Sequence, residues 1–320
     1  MSDLLVLGGS GFVGVSLQNE LSETFNGNVT FASSGLSPRP KVRELMDRAS
    51  YISWDIRESS VIPPIFETII HAATPASAFL NTNDPAEMLN VIVQGMKNVI
   101  DFASRHSTPP TVLFTSSGAV YGNIVNSFEN IREDTVIEVN PLVPTSAYAE
   151  GKRIAELMLL EATNLGICKG KIARMFAFSG KHLPRDRHFA IGNFVESAVS
   201  QQKILIRSDG LSVRSYLDEC DMAKWLMAIA TNGTPNQIYH VGSERALSIL
   251  ELAVLVAKRC ELLTGGHISV DVLGQTSPID GVSRYVPSTL QTRKLLNVME
   301  NISLESSIDS MLQAAIVDLV

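Results

Sequence analysis

The chain is poor in cysteine. It has three in 320 residues (Cys168, Cys220 and Cys260), with no Cys-x-x-Cys pair. A disulfide framework and a cysteine-rich zinc site both need more, so neither is expected and no metal is assigned. Basic residues are also short, 26 Lys and Arg against 33 Asp and Glu, giving a net charge of −7. Nucleic acids and anionic membranes select the opposite balance, so neither is expected as a partner. A few local arginines can still hold a small anion. No apolar run reaches the ~20 residues of a membrane span. The opening MSDLLVLGGSG has no basic leader and is interrupted by Asp3, so it reads as a strand, not a secretion signal; a cytoplasmic protein is expected. Apolar side chains are plentiful, at 45% against 18% charged. That share excludes a disordered chain, and the length allows one large domain or two lobes.

Short apolar runs alternate with longer helical patterns through the first half. Strands are expected over 3–7, 28–32, 50–53, 67–71, 111–116 and 171–176, and helices near 12–24, 41–48, 84–106 and 147–165. Residues 122–146 are polar, hold Pro141 and Pro144, and form a long connection of the kind that carries function. Beyond residue 176 the alternation weakens, with helical patterns near 219–231 and 248–263 between charged loops. The expected architecture is α/β. A doubly wound parallel sheet spans 1–175, and a smaller mixed α/β substrate lobe spans 176–320, with some chain returning to the first lobe.

Three local patterns carry chemistry. The first strand runs into Gly8-Gly-Ser-Gly11-Phe12-Val-Gly14 and then a helix. Such glycines permit a tight turn, close approach of a pyrophosphate and close helix–strand packing, while the helix N-terminus offers N–H groups and positive dipole to phosphates. Tyr148 and Lys152 stand four apart on an expected helix, so they share a face. An ammonium beside a phenol favours phenolate and is expected to lower the tyrosine pKa toward that of a working acid or base. Finally, TSSGAVYG places Ser116 and Ser117 where a central strand leaves the sheet at its carboxyl end, the usual ligand edge of an open α/β sheet.

In this order and spacing the motifs resemble the extended short-chain dehydrogenase/reductases, the NAD-dependent epimerase/dehydratase family of nucleotide-sugar enzymes, across nearly the whole chain. The resemblance implies a Rossmann-like cofactor lobe and a lobe for a nucleotide-diphosphate sugar. It makes Ser117, Tyr148 and Lys152 catalytic. To the cofactor it assigns Gly8, Gly11, Phe12 and Gly14, then Asp55-Ile56 at the adenine, Ala72 and Ala73 after His71, and Phe176 of the Arg174-Met-Phe176 motif, besides Tyr148 and Lys152. Toward substrate it implies Ser117, His182, Asn193, Arg214 of the RSYLDECD stretch, whose family counterpart holds the diphosphate, and Arg284, a late phosphate-binding arginine. Tyr239-His-Val-Gly242 is similar to a motif of the substrate lobe. Relatives dimerise through helices corresponding to 84–106 and 147–165, so a homodimer is implied.

Departures from the family pattern narrow the reaction. Members that prefer NAD end the second strand in an acid, whereas here Ser33 and Ser34 stand there, followed by Arg39 and Arg43. Hydroxyls and a guanidinium suit a 2′-phosphate, so of NADP and NAD the former is favoured. Dehydratases and decarboxylases carry an acid just after the catalytic hydroxyl; Gly118 and Ala119 hold those places and cannot move a proton. Ala119 also replaces the cysteine of the 3,5-epimerase/reductase branch, although His182 matches its histidine. Ala177 stands where an amide usually meets substrate, and Ile92 where many relatives have Asn, with Asn90 a possible substitute. Hydride transfer at sugar C4 survives, by a 4-ketoreductase or, as the alternative, a 4-epimerase. A 4,6-dehydratase and a non-catalytic dinucleotide-binding regulator fit less well. His71 and His188 are read as supporting residues, and Trp54 and Trp225 as core.

Overall fold

The computed structural model describes residues 3–35, 49–74, 78–122, 129–136, 146–185, 189–201, 203–275 and 281–318. The expected helix at 41–48, with Arg39, Arg43, His188 and most of the 122–146 connection, lies outside them. The first part runs β1 (Asp3–Leu7), α1 (Phe12–Thr24), β2 (Asn28–Ser33), β3 (Ala49–Ser53), β4 (Thr68–His71), α2 (Ala78–Asn83), α3 (Pro85–Ala103), β5 (Thr111–Ser117), α4 (Ala147–Asn164) and β6 (Lys169–Met175). There follow β7 (Phe178–Ser179), α5 (Ala190–Gln201), β8 (Lys203–Ile206), β9 (Val213–Arg214), β10 (Leu217–Asp218), α6 (Glu219–Asn232) and β11 (Ile238–Val241). The chain closes with β12 (Leu247–Ser248), α7 (Ile249–Thr264), β13 (Ser269–Val272), β14 (Arg284–Tyr285), α8 (Leu290–Leu296) and α9 (Leu304–Asp318).

Seven strands form one parallel sheet in the order β11-β6-β5-β4-β1-β2-β3. Both faces are covered, which is why β1 reads as an unbroken apolar run. Leu4 and Val6 face a core with Leu17 and Leu21 of α1 and Trp225 and Leu226 of α6. Leu5 and Leu7 face Met88, Ile92, Met96 and Val99 of α3 with Ala155 and Leu159 of α4. The two-residue period of a strand thus sorts β1 between two layers. Helix α3 starts where the sequence provides a stop: the Asp84 side chain accepts from Glu87 N at 3.0 Å, and Pro85 occupies the first turn. Strand order reverses between β1 and β4, and the crevice at their carboxyl ends is where such a sheet takes a ligand.

The second lobe has its own core, in which α5, α7 and α9 enclose Ile204, Ile206 and Tyr216. Its short strands make three small sheets, β10-β7, β12-β9-β14 and β13-β8. The Tyr239–Gly242 stretch departs from its expected place in that lobe. Residues 238–241 form β11, which pairs in parallel with β6, Tyr239 opposite Ala173 and His240 opposite Arg174. The apolar face of α6 (Met222, Trp225, Leu226 and Ile229) packs beside α1 and carries the chain back to the first sheet. A four-residue strand is too short to show a period, and so its partner cannot be read from sequence.

Candidate active site

The loop after β1 has Gly8 at φ +88°, a conformation that favours glycine. The Gly8 and Gly9 N–H groups both donate to Ala32 O, at 2.8 and 2.9 Å. Packing is tight behind the loop: a Cβ on Gly8 would lie 2.6 Å from Ala72 O, and one on Gly14 2.4 Å from Gly8 O. At Gly11 a Cβ would meet only Gly8 O, at 3.3 Å, so the loop is open there. Gly11 caps α1 without a side-chain bond, leaving the first-turn N–H groups and helix dipole facing that opening. Phe12 lies at its lip, its ring 6.3 Å from that of Phe178.

At the end of β2 the Ser33 hydroxyl is buried without a partner, whereas Ser34 is exposed. Asp55 is held by Arg57, Oδ2 to Nη2 at 2.6 Å, which keeps its carboxyl below the usual range. Arg57 also reaches Glu87 at 2.8 Å. Ile56 is buried in the core against Gly95, and Ala72 and Ala73 follow β4 beside the loop. An open phosphate cradle next to an unpartnered buried hydroxyl at the end of β2 fits a dinucleotide.

The catalytic candidates meet at the carboxyl end of β5. Ser117 is buried and caps a 3-10 turn over Gly118–Tyr121, its Oγ accepting from Ala119 N at 3.1 Å. Helix α4 presents Tyr148, Lys152 and Glu156 at four-residue intervals. Lys152 is fully buried; Nζ donates to Thr115 O at 2.7 Å and lies 4.6 Å above the Phe114 ring and 5.6 Å from that of Tyr148. Burial pulls its pKa down to about 7, partly offset by Glu156. Tyr148 departs from expectation: burial pushes its phenol up, and a hydrogen bond with Ser117 draws it only partly back. One of the lysine's three N–H donors goes to the Thr115 carbonyl. The Tyr148 N–H donates to Asn81 Oδ1 at 2.9 Å, fixing the start of α4 to α2.

Beneath these residues lies a buried polar network. Glu156 accepts from Ser116 Oγ at 2.5 Å and from Arg174 Nε and Nη2 at 3.0 and 2.7 Å. Arg174 Nη1 meets Tyr121 OH at 2.5 Å, and that hydroxyl lies 2.7 Å from His240 Nε2. Arg174 therefore serves as a brace between α4 and the sheet edge. Phe176 is wedged between Tyr285, 4.8 Å away between ring centres, and His240 at 5.1 Å. His71 is buried beside Lys152 with neither ring nitrogen partnered, and burial holds its pKa near 3.

Tyr285 is the residue that the motifs did not mark. It lies on β14 opposite Arg214 of β9, and its hydroxyl donates to Met175 O at 3.4 Å. A Cβ on Gly118 would come within 2.7 Å of both Tyr285 OH and Phe176 Cε1, so the space beside Ser117 is filled. Its neighbour Arg284 was the available signal, but a phenol at that place has no local spacing to announce it.

Arg214 is half-buried, with its guanidinium 5.8 Å from the Tyr285 ring centre. Its Nη1 donates to Val213 O at 2.8 Å and to Ser283 O at 3.3 Å, and no acid among the described residues pairs with it. Arg284 Nη2 donates to Asn130 at 2.8 Å while its Nε has no partner. His182 Nδ1 is 3.0 Å from buried Glu219, an ion-pair contact without hydrogen-bond alignment. Asn193 is exposed in the first turn of α5. Asn90 is exposed and bonded to Glu87, so it does not stand in for the amide missing at Ile92; Ile92 is buried, and a Cβ on Gly151 would lie 2.9 Å from its Cδ1. Trp54 and Trp225 are in the core.

The model of the NAD dependent epimerase/dehydratase family matches residues 4–242, and the chain belongs to that family. Among curated proteins it is 26% identical over 256 residues to UDP-glucuronic acid decarboxylase 6 of Arabidopsis thaliana, covering 79% of this chain and 73% of that one. Among solved structures, UDP-glucose 4-epimerase from Thermotoga maritima, with UDP-glucose, superimposes with a TM-score of 0.81 at 20% identity, over 99% of this chain and 100% of that one. RMD from Pseudomonas aeruginosa, complexed with NADPH, gives 0.80 at 20% identity over the same shares. These likenesses establish a Rossmann-like fold.

Proposed function

We propose that the protein is an NAD(P)-dependent enzyme acting at C4 of a nucleotide-diphosphate sugar, as a 4-ketoreductase. The observation that carries this reading is the Ser117–Tyr148–Lys152 cluster with Gly118, not an acid, beside it. Bound NAD(P) would supply the hydride donor or acceptor; every proton movement falls to the chain. Tyr148 gives its phenolic proton to the C4 oxygen on reduction and takes it back on oxidation. Ser117 hydrogen-bonds the same oxygen, and Lys152 holds cofactor ribose hydroxyls. Gly8, Gly11, Phe12 and Gly14 receive the pyrophosphate, Asp55 and Ile56 border the adenine, and Ala72, Ala73 and Phe176 flank the nicotinamide half. Arg214, with no acid of its own, takes the substrate diphosphate; Arg284, His182 and Asn193 complete the pocket.

Ser33 and Ser34 in place of an acid favour NADP over NAD. Decarboxylation, the activity named for the sequence relatives, is disfavoured because residue 118 has neither a carboxyl group nor room for one. A 4-epimerase remains the alternative, since it would use Tyr148 twice, once in each direction. The exposed faces of α3 and α4 are the basis for proposing a homodimer, and three free cysteines suit the reducing cytoplasm.

The test is a turnover screen with the purified chain. NADPH oxidation with a 4-keto nucleotide sugar supports the reductase; interconversion of C4 epimers without net oxidation supports the epimerase; release of CO2 from UDP-glucuronate would overturn both. Tyr148→Phe is expected to cut kcat by roughly 10²–10⁴-fold while the cofactor still binds, as read by fluorescence titration. Tighter binding of NADH than of NADPH would refute the cofactor preference.

A further inference from the structure

We propose that Glu156 is a positioning residue for catalysis: fixed over the sheet by Ser116 and Arg174, its carboxylate is the counter-charge against which the buried Lys152 works. The inference deepens the proposed function and rests on its reading of Tyr148 as the acid–base group with Lys152 beside it.

Ser116 and Arg174 stand opposite each other in the β5–β6 ladder, so their side chains share one face of the sheet. Glu156 sits over that pair. Its Oε1 accepts from Ser116 Oγ at 2.5 Å and from Arg174 Nε at 3.0 Å, and its Oε2 accepts from Arg174 Nη2 at 2.7 Å. One turn earlier on α4, Lys152 Nζ donates to Thr115 O at 2.7 Å. Successive turns of the helix therefore grip successive residues of β5, and the next residue of that strand is Ser117. Long side chains on a helix lean back over the preceding turn. Lys152 does so, with Nζ 5.6 Å from the Tyr148 ring centre. The same lean carries the Glu156 carboxylate toward Lys152.

The charges around Lys152 do not balance without Glu156. On α4 burial keeps the Tyr148 phenol neutral, and on β4 His71, with its pKa near 3, is neutral too. Helix α3 turns the apolar Ile92 to this part of α4. On β6 Arg174 is a second buried cation, and its Nη1 meets Tyr121 OH, a phenol that burial also keeps neutral. His240 Nδ1 faces Ser288 O at 3.0 Å and so carries the ring proton, which leaves Nε2 to accept from Tyr121; Glu133 lies 3.8 Å from Nδ1. Among the described residues, Glu156 is thus the one carboxylate that Lys152 and Arg174 share. Two buried cations without an acid are not tolerated in a protein interior, and an arginine does not give up its proton. Without Glu156 the lysine is the group that goes neutral. A neutral amine leaves no positive charge beside Tyr148 when the phenol gives its proton to the C4 oxygen.

Glu156→Gln in the full chain keeps the shape and an oxygen for Ser116 and removes only the charge. With [ε-¹³C]lysine and no substrate, the pH midpoint of the Lys152 resonance (identified by its loss in Lys152→Met) is expected to fall by about one unit or more. Arg174→Gln removes the competing cation and is expected to move the same midpoint upward. With a 4-keto nucleotide sugar and NADPH, Glu156→Gln is expected to lower kcat about tenfold near neutral pH, with the sugar KM within about twofold. That loss should shrink as pH is lowered, since acid restores the ammonium. An unmoved midpoint in Glu156→Gln, a midpoint that moves the same way in both variants, or a loss of kcat that persists in acid would overturn the proposal and leave Glu156 a brace for Arg174. If Glu156→Gln does not fold, Arg174→Gln decides alone, and an unmoved or lowered midpoint overturns the proposal. A wild-type chain with no turnover at C4 would sink the functional reading instead, and the Lys152 midpoint would still decide the role of Glu156.

Discussion

Position 118 shows how much a single hydrogen atom decides. Phe176 and Tyr285 close on the place where any side chain would begin, so position 118 has no room for a carboxyl group. Gly118→Ala should force both rings back. We expect a loss of kcat/KM of about tenfold or more and a stability cost of about 1–3 kcal/mol by urea unfolding; a variant with normal kinetics would show that the crowding is harmless. Ser117, Tyr148 and Lys152 were legible in the sequence because each belongs to a local pattern, a strand end or an i,i+4 pair. Tyr285 was not, because it reaches Gly118 only through the folding of β14, far along the chain. The direction of the Tyr148 shift was also missed, since spacing reports that a lysine is near but not that it is buried and bonded to a backbone carbonyl.

Helix α4 divides its surface between two tasks. One face turns Tyr148, Lys152 and Glu156 toward the sheet. The other leaves Ile154, Leu157 and Leu160 in water, with 39%, 65% and 37% of their surface exposed. Apolar side chains at such spacing make a stripe suited to a second helix pair. Sedimentation is expected to give twice the 34.7 kDa chain mass, and Leu157→Lys to give one chain mass; a monomeric wild type would remove the dimer. Most elements of the first sheet were readable because buried parallel strands and amphipathic helices carry strong periods. The small sheets of the second lobe, whose strands have two to four residues, carry none.

At the scale of the molecule, two buried histidines make folding sensitive to acid. Burial holds His71 and His240 near pKa 3 in the fold, against 6.5 when exposed. Between those values the unfolded chain binds protons that the folded chain refuses, so stability is lost as pH falls from 6.5 toward 3, by an amount on the order of several kcal/mol. Urea unfolding at pH 7 and pH 5 should show this loss, and His71→Phe should reduce it; equal losses in both proteins would exonerate that histidine. The path of the chain adds a constraint of another kind. Strand β6 is buried at six of its seven residues, and its outer neighbour is β11, which follows only after much of the second lobe has been traced. During synthesis β6 stays a bare, sticky edge until residue 241 has cleared the ribosome. The first sheet therefore cannot close before β11 is made, and a message cut short ahead of it would yield a product prone to aggregate.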